Sequence, residues 1–241
     1  MSFFNRNPDH DADIIAILGM HRSGTSCLAG SLQNKGLFLG QVHEWNEHNL
    51  KGNRENEQIA ELNEELLIHN GGCWHQPPQK LKWRRKHVKQ RDVLIRQFAD
   101  SKMLSWGFKD TRAVFTLEFW RDALPQITTI ATYRHPLLVA RSLLKRDNMP
   151  MDYAFDLWCT YNNKILERHG EAAFPIISFD ADSQHYQHVI DAWATKMNLP
   201  KPGGAPFRDN ILKADIADQE NAEIPDKAMV IYQQLEQLQL K

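Results

Sequence analysis

The sequence predicts an α/β fold of three layers, in which a mostly parallel central sheet is flanked by helices. Three short apolar runs, Ile14–Leu18, Ile127–Tyr133 and Phe174–Phe179, have the length and the β-branched content of buried strands. Each run is followed, after a short turn, by a segment with helical spacing of its apolar residues. Strands that alternate with helices favour a doubly wound, parallel sheet.

The remaining elements follow in order along the chain. The sequence predicts a loose N-terminal leader over residues 1–13 and a long polar loop over residues 40–54. A short strand is predicted at Trp106–Lys109. Helices are predicted over residues 26–36, 55–69, 81–100, 114–124, 137–146, 154–169 and 183–197, and from Pro225 onward. No repeat or linker divides the chain, so we expect one domain over residues 1–241.

Composition excludes several classes of protein. The 241 residues carry a net charge of −1, which argues against a nucleic-acid-binding protein. Cys27, Cys73 and Cys159 form no Cys-x-x-Cys pair, as expected in a reducing compartment. The first residues are polar and acidic, unlike a signal peptide, and the apolar runs are too short to span a bilayer. We therefore expect a cytoplasmic protein without a membrane span; the composition sets no oligomeric state.

The turn after the first predicted strand has the features of an anion-binding loop. Gly19–Ser26, GMHRSGTS, spaces two glycines as in the P-loop pattern. Glycines let successive N–H groups turn toward an anion, and the following helix adds its N-terminal dipole. Arg22 supplies a forked cationic donor, and Thr25 and Ser26 supply hydroxyls. A structural turn that only happens to hold two glycines is the simpler alternative.

The same loop departs from that of a nucleoside triphosphatase. A Walker loop has Lys directly after the second glycine, where this chain has Thr25. The cation lies instead at Arg22. This arrangement fits a phosphate joined to a sulfate better than a magnesium triphosphate, so a P-loop kinase of small molecules is the weaker alternative.

Arg22–Ser26 resembles the 5′-phosphosulfate loop of sulfotransferases, whose usual form is Lys or Arg followed by Ser-Gly-Thr-Ser/Thr. The resemblance covers about residues 14–180 and is greatest to a bacterial branch with a Tyr-Arg-His-Pro segment. It implies the P-loop-like sulfotransferase fold, with 3′-phosphoadenosine 5′-phosphosulfate (PAPS) as donor and adenosine 3′,5′-bisphosphate (PAP) as product. The loop residues that it assigns to the donor are Arg22, Ser23, Gly24, Thr25 and Ser26.

The resemblance also implies a site for the 3′-phosphate. In the family an Arg at a strand end and a Ser eight residues later hold this group, and Arg134 and Ser142 have that spacing here. Arg134 would leave the carboxyl end of its strand, where ligands bind in open α/β sheets. Ser142 would lie on nearly the same face, two helical turns on. The alternative for Arg134 is a surface ion pair at the start of a helix. The alternative for Ser142 is a small residue that allows close helix packing.

Sulfuryl transfer needs positioning, stabilisation of charge, and a base for the acceptor's proton. We expect no metal. Lys109 matches the lysine of a Lys-Thr-His segment in the cytosolic branch and would contact the transferring group. That branch's histidine base is absent, because Thr111 occupies its position. An Asp110–Arg112 ion pair on the surface is the alternative interpretation of this segment.

Glu55 is the predicted base. It lies in NLKGNRENEQ, a segment that resembles an Asn-Pro-Lys-Gly-x-x-Glu stretch of a bacterial branch, with Leu50 in place of Pro. The alternative is a carboxylate in the first turn of a helix, where it would complement the helix dipole. Rival bases on the same loop are His43, Glu44, Glu47 and His48.

The basic segment Lys80–Arg91 contains seven Lys or Arg residues. A solvated helix face explains it most simply, and a docking surface for an anionic acceptor is the sharper alternative. Arg208 and Lys213 are weak candidates for a loop over the nucleotide. The acceptor is expected to be a hydroxyl, by resemblance that of a saccharide or a small molecule. A non-catalytic nucleotide-binding module on the same fold is the remaining alternative.

Overall fold

The computed structural model describes residues 13–44, 52–200, 207 and 223–240. Within them the central sheet has four strands, which are β1 (Asp13–Leu18), β2 (Ser105–Lys109), β3 (Thr128–Tyr133) and β4 (Ile176–Ser178). The strands lie in the order β2-β1-β3-β4, and each neighbouring pair is parallel. The predicted α/β class with a parallel sheet is confirmed.

Eight helices lie within the described residues. They are α1 (Thr25–Asn34), α2 (Glu57–His69), α3 (Arg85–Asp100), α4 (Ala113–Arg121), α5 (Pro136–Asp147), α6 (Met151–Glu171), α7 (Ser183–Lys196) and α8 (Asp226–Leu238). None of these helices is long and apolar enough to cross a membrane.

Alternate residues of β1 face two separate hydrophobic cores. Ile14, Ala16 and Leu18 pack in the larger core, whereas Ile15 and Ile17 pack in the smaller one. This is the period of two that a pleated strand imposes on its side chains. Helices α1 and α7 cover the smaller core, and α2 to α6 and α8 supply the larger. The sheet is therefore the middle layer of three.

The helix predicted over 81–100 begins at Arg85, so its N-terminal boundary was wrong. The reason is Asn70, which follows α2 and binds the backbone of Lys82, just before α3. Its side-chain amide donates to the carbonyl of Lys82 and its Oδ1 accepts from the N–H of Lys82, both at 2.9 Å. A backbone that forms this pair of bonds with a side chain cannot also form the bonds of a helix.

The helix predicted to open at Glu55 begins at Glu57 instead. Asn56 is its N-cap, and the Asn56 side chain accepts a hydrogen bond from the N–H of Ile59 at 3.2 Å. Glu55 therefore lies before the helix, and the alternative role of a first-turn carboxylate is wrong for it. The predicted leader is also too long by one residue, because Asp13 already belongs to β1; residues 1–12 lie outside the described residues.

Candidate active site

The Gly19–Ser26 loop lies at a crevice between β1 and β3. These strands are neighbours, but α1 leaves β1 toward the smaller core and α5 leaves β3 toward the larger core. Such a reversal opens a crevice at the carboxyl ends of the two strands, where open α/β sheets bind ligands. The end of β3 reaches the loop directly, because Arg134 Nη1 donates to the carbonyl of Arg22 at 3.4 Å.

The loop backbone is tightly curved. Arg22 and Gly24 both have left-handed φ angles, of 64° and 83°. Gly24 is also the N-cap of α1, and a Cβ there would lie 2.2 Å from the ring of Phe179. Only glycine fits this position without moving its neighbour. The N-terminus of α1, with its dipole, therefore opens at the crevice, which makes the loop suited to an anion.

The two predicted anion sites touch each other. Arg22 Nε donates to Ser142 Oγ at 2.7 Å, across 120 residues of sequence. Ser142 comes from α5, as its spacing from Arg134 predicted, and Thr25 and Ser23 are buried in the loop. The structure thus brings Arg22, Arg134 and Ser142 together at one crevice.

Sequence reasoning missed the carboxylate that orients Arg134. Asp180 Oδ1 lies 3.4 Å from Arg134 Nε, and Asp180 Oδ2 accepts from the N–H of His135 at 2.6 Å. The Arg134 guanidinium also lies over the ring of Phe179, 5.2 Å from its centroid. Asp180 follows the third apolar run directly, so its position at a strand end was a signal that could have identified it.

Three arginines share this space. Burial lowers the pKa of the Arg22 guanidinium, and the positive charges of Arg146 and Arg134 lower it further, with Asp147 acting in the opposite direction. Arg146 comes from the last turn of α5 and was not predicted from the sequence. Like charges that are partly removed from water repel each other unless an anion lies between them. Asp180 and Asp147 pair with Arg134 and Arg146, so positive charge remains in excess at the crevice, which favours an anion there.

Lys109 and Glu55 form an ion pair beside the loop. Lys109 Nζ donates to Glu55 Oε1 at 2.6 Å and to the carbonyl of Asn53 at 3.1 Å. The same carbonyl accepts from Ser26 Oγ at 3.1 Å. Asn53 therefore joins Lys109 to the first turn of α1. The structure brings Lys109 and Glu55, two of the three predicted catalytic residues, to the loop that contains the third, Arg22. It also adds a backbone contact that no sequence pattern indicates.

The Asp110–Arg112 pair exists, but it does not lie on the surface. Asp110 is fully buried and accepts from the Asn63 amide at 2.9 Å and from the N–H of Arg112 at 3.0 Å. Burial raises the pKa of the Asp110 carboxyl, the Arg112 charge lowers it, and the Glu55 charge raises it again. The expected surface pair is thus wrong, and these groups form a buried support under Lys109.

His21, within the loop, was also missed as a site residue. Its Nε2 lies 2.7 Å from Thr111 Oγ1, and its ring lies against the rings of Trp74, at 4.5 Å, and Tyr161, at 6.3 Å. The sequence offered one signal, because His21 directly precedes Arg22. His21 and Thr111 are 90 residues apart, and only the pairing of β1 with β2 brings them together.

The rival bases are placed differently. His43 and Glu44 lie toward the surface, and the Glu44 carboxylate lies 3.4 Å from Arg54 Nη1. Glu47 and His48 lie outside the described residues, as do Arg208 and Lys213.

The basic segment is divided between the surface and the interior. Arg91 is buried and donates to the carbonyl of Phe119 at 2.6 Å and to Asp122 at 2.9 Å, so it supports the packing of α3 on α4. The other six cations of Lys80–Arg91 are exposed. Lys86 is paired with Glu65 of α2. The predicted solvated face therefore describes most of the segment but not its last residue.

No protein-family model matches the chain, and no curated protein matches it. Solved structures do. The chain is similar to the sulfotransferase domain from the olefin synthase of Synechococcus PCC 7002, with a TM-score of 0.58 and 17% identity, over 96% of this chain and 98% of that domain. A sulfotransferase from Mycobacterium tuberculosis H37Rv also matches, with a TM-score of 0.35 and 14% identity, over 93% of this chain and 71% of that one. The first of these likenesses shows that the chain has the sulfotransferase fold.

Proposed function

We propose that the protein transfers a sulfuryl group from PAPS to a hydroxyl acceptor. The observation that carries the proposal is that the Arg22 loop meets both Ser142 and Arg134, so that the two predicted anion sites lie together between β1 and β3. PAPS has a phosphosulfate on its 5′ side and a phosphate on its 3′ side, so its charges call for cations at two adjoining places, such as Arg22 and Arg134. A magnesium triphosphate would call for a lysine where the loop has Thr25.

The donor occupies the crevice in this proposal. Residues Arg22–Ser26, with the N-terminus of α1, hold the 5′-phosphosulfate, as the family resemblance implies. Arg134 and Ser142 hold the 3′-phosphate. The contact between Arg22 and Ser142, 2.7 Å long, supports a single continuous anion site. Asp180 keeps Arg134 aligned, because it binds both the guanidinium and the neighbouring N–H group.

Lys109 and Arg22 act on the transferring group. Charge grows on the oxygen that leaves with the 5′-phosphate, and fixed cations at that oxygen stabilise the transition state without reorganisation. Lys109 is held ready by Glu55 and by the carbonyl of Asn53, which also binds Ser26. Glu55 takes part in the proposal through this contact. That Glu55 itself takes the acceptor's proton stays a prediction from the sequence.

The proposal also covers the acceptor and the cellular compartment. We propose a hydroxyl of a saccharide or of a small molecule as acceptor, which rests on the family resemblance. Cys27, Cys73 and Cys159 carry thiols rather than disulfide bonds. Thiols fit a reducing compartment, and we propose the cytoplasm.

A thermal-shift panel with PAP, ADP and ATP, each with and without magnesium, tests the donor. A ligand that binds only the native state stabilises it by about 2.7 kcal/mol when its concentration is 100 times Kd. We expect PAP to raise the Tm and Arg134→Ala to abolish that rise. Arg141→Ala is the matched control, because Arg141 is an exposed arginine of the same helix as Ser142, and its variant should keep the full shift.

Two results would contradict the proposal. Stabilisation by magnesium-ATP but not by PAP would indicate a kinase. Stabilisation by PAP without release of PAP from PAPS, in the presence of a panel of phenolic and saccharide hydroxyls, would indicate a nucleotide-binding module without activity.

A further inference from the structure

His21 is a titratable group of the Gly19–Ser26 loop to which the proposed function gives no role. It directly precedes Arg22 in the loop that is proposed to hold the phosphosulfate, and Lys109 and Arg22 are both close enough to lower its pKa. His21 is a half-buried residue, and its ring packs against Trp74, 4.5 Å away between ring centroids, which supplies an apolar wall. A group with this placement can reach both an acceptor and the donor loop.

Thr111, which contacts His21, occupies the position of the histidine base in the cytosolic branch of the family. The resemblance places a histidine base at the position of Thr111, and this chain lacks it there. In the structure Thr111 Oγ1 lies 2.7 Å from His21 Nε2. A histidine from the neighbouring strand's loop thus reaches the place that the missing one would occupy. The Thr111 contact also fixes one nitrogen of the ring, which leaves Nδ1 for another partner.

The surroundings keep His21 uncharged. Burial lowers the pKa of its imidazole well below 6.5, and the positive charges around it lower the pKa further. These charges come from Arg146 of α5, Lys109 at the end of β2, Arg112 before α4, and Arg22 of the same loop. Tyr161 of α6 also faces the ring and is neutral, because burial raises its pKa. A neutral imidazole can accept a proton, and the negative charges of a bound donor offset the surrounding cations when it does so.

We propose that His21 is the general base of the transfer, which rests on the proposed function. An imidazole nitrogen of His21 takes the proton of the acceptor hydroxyl as the acceptor oxygen forms its bond to sulfur. The bond from sulfur to the 5′-phosphate oxygen breaks, and its electron pair leaves with PAP. The products are the sulfate ester, PAP and a protonated His21, which returns its proton to solvent.

Glu55 then has a different role from the one that the sequence predicts. Its Oε1 accepts a charge-assisted hydrogen bond from Lys109 at 2.6 Å, and such bonds are among the strongest in proteins. A carboxylate bound in this way orients Lys109 toward the donor. His21 Nε2 contacts a neutral group instead, the hydroxyl of Thr111.

Histidine nuclear magnetic resonance on the PAP-bound protein tests the base. We expect the His21 ring to be neutral at neutral pH with one fixed tautomer, and Thr111→Val to release that tautomer. His21→Gln should bind PAP with affinity within about threefold of the native protein. It should release PAP from PAPS, with ethylene glycol as probe acceptor, about 100-fold or more slowly, the usual contribution of a general base. His188→Gln, at an exposed histidine of α7, is the matched control and should change neither readout.

The outcomes separate this proposal from the proposed function. A His21 ring that is protonated at neutral pH in the PAP complex would overturn the His21 assignment and leave the donor site intact. So would a His21→Gln variant with native turnover beside an inactive Glu55→Gln variant. Failure of the native protein to bind PAP would instead overturn the proposed function. Native turnover that falls on acidification, with the fall removed by His21→Gln and kept by Glu55→Gln, would support the assignment.

Discussion

Single residues decide whether the Gly19–Ser26 loop can form. Arg22 and Gly24 hold left-handed backbone angles close together in sequence, with Ser23 between them. Arg22 brings strain to the loop, because a side chain with a Cβ is disfavoured at such an angle. Gly24 avoids that strain, and its missing Cβ gives room to Phe179, whose ring in turn supports Arg134. A change at one glycine therefore reaches both halves of the anion site.

Gly24→Ala should destabilise the protein by more than about 2 kcal/mol, since backbone strain and a steric clash add. A Cβ would lie 2.2 Å from the Phe179 ring, so we expect the PAP-induced rise in Tm to be lost as well. Gly71→Ala is the control. Gly71 has a similar φ of 76°, but a Cβ added there would meet no described atom within 4 Å, so only the strain of about 1 kcal/mol applies. Urea unfolding measures the free energy of unfolding of both variants. Equal losses of that free energy would contradict the role of Phe179.

At the scale of elements, one buried amide joins two helices to a strand end. Asn63 of α2 donates to Asp110, which follows β2. Its Oδ1 accepts from Thr116 Oγ1 at 2.8 Å and from Trp120 Nε1 at 2.9 Å, both on α4. Asp110 follows Lys109, so this network also supports the Lys109–Glu55 pair. Buried polar networks of this kind specify one arrangement because each broken bond leaves an unpaired group.

Asn63→Ala should lower the free energy of unfolding by about 3 kcal/mol, because it removes a buried partner from both Asp110 and Trp120. We also expect slower release of PAP from PAPS at saturating donor, since Lys109 loses its support. Asn163→Ala, at an exposed asparagine of α6, should stay within about 0.5 kcal/mol of the native protein. Chemical denaturation checks both variants, and a mild effect at Asn63 would show that water replaces the amide.

At the scale of the whole molecule, buried histidines make stability depend on pH. Burial lowers the pKa of His21, His87 and His135 from their ordinary value of 6.5, with nearby charges adding to the effect at His21. Below pH 6.5 the unfolded chain binds more protons at these positions than the native protein does, so acid favours unfolding. The stability present above pH 6.5 is lost as the pH falls toward the native pKa values. The raised pKa of Asp110 acts in the opposite direction, at more acidic pH.

We therefore expect the free energy of unfolding, measured in urea, to fall between neutral pH and mildly acidic pH. His21→Gln removes one of the three groups and should reduce that fall. His188→Gln should leave the fall unchanged. A free energy of unfolding that is flat across this range would contradict the burial of these rings.

Much of the fold followed from local patterns. The apolar runs predicted three of the strands, and the short run Trp106–Lys109 predicted the fourth, because a pleated or fully buried strand leaves a short-range signature in sequence. The predicted starts of two helices were wrong. Asn70 shortened α3 by binding Lys82, and Asn56 moved the start of α2 past Glu55. Both are side-chain contacts to the backbone that compete with a helix, which periodicity does not detect.

The sequence by itself determined the turn after β1 and predicted an anion site there with a partner at the end of β3, since glycine spacing and the Arg134–Ser142 interval are local features. Only the tertiary structure decided which groups meet there. His21 meets Thr111 because β1 pairs with β2, and Arg22 meets Ser142, 120 residues away, because β1 also pairs with β3. Strand order and the face that each helix covers are set by burial summed over two cores, so no local segment of the sequence contains them.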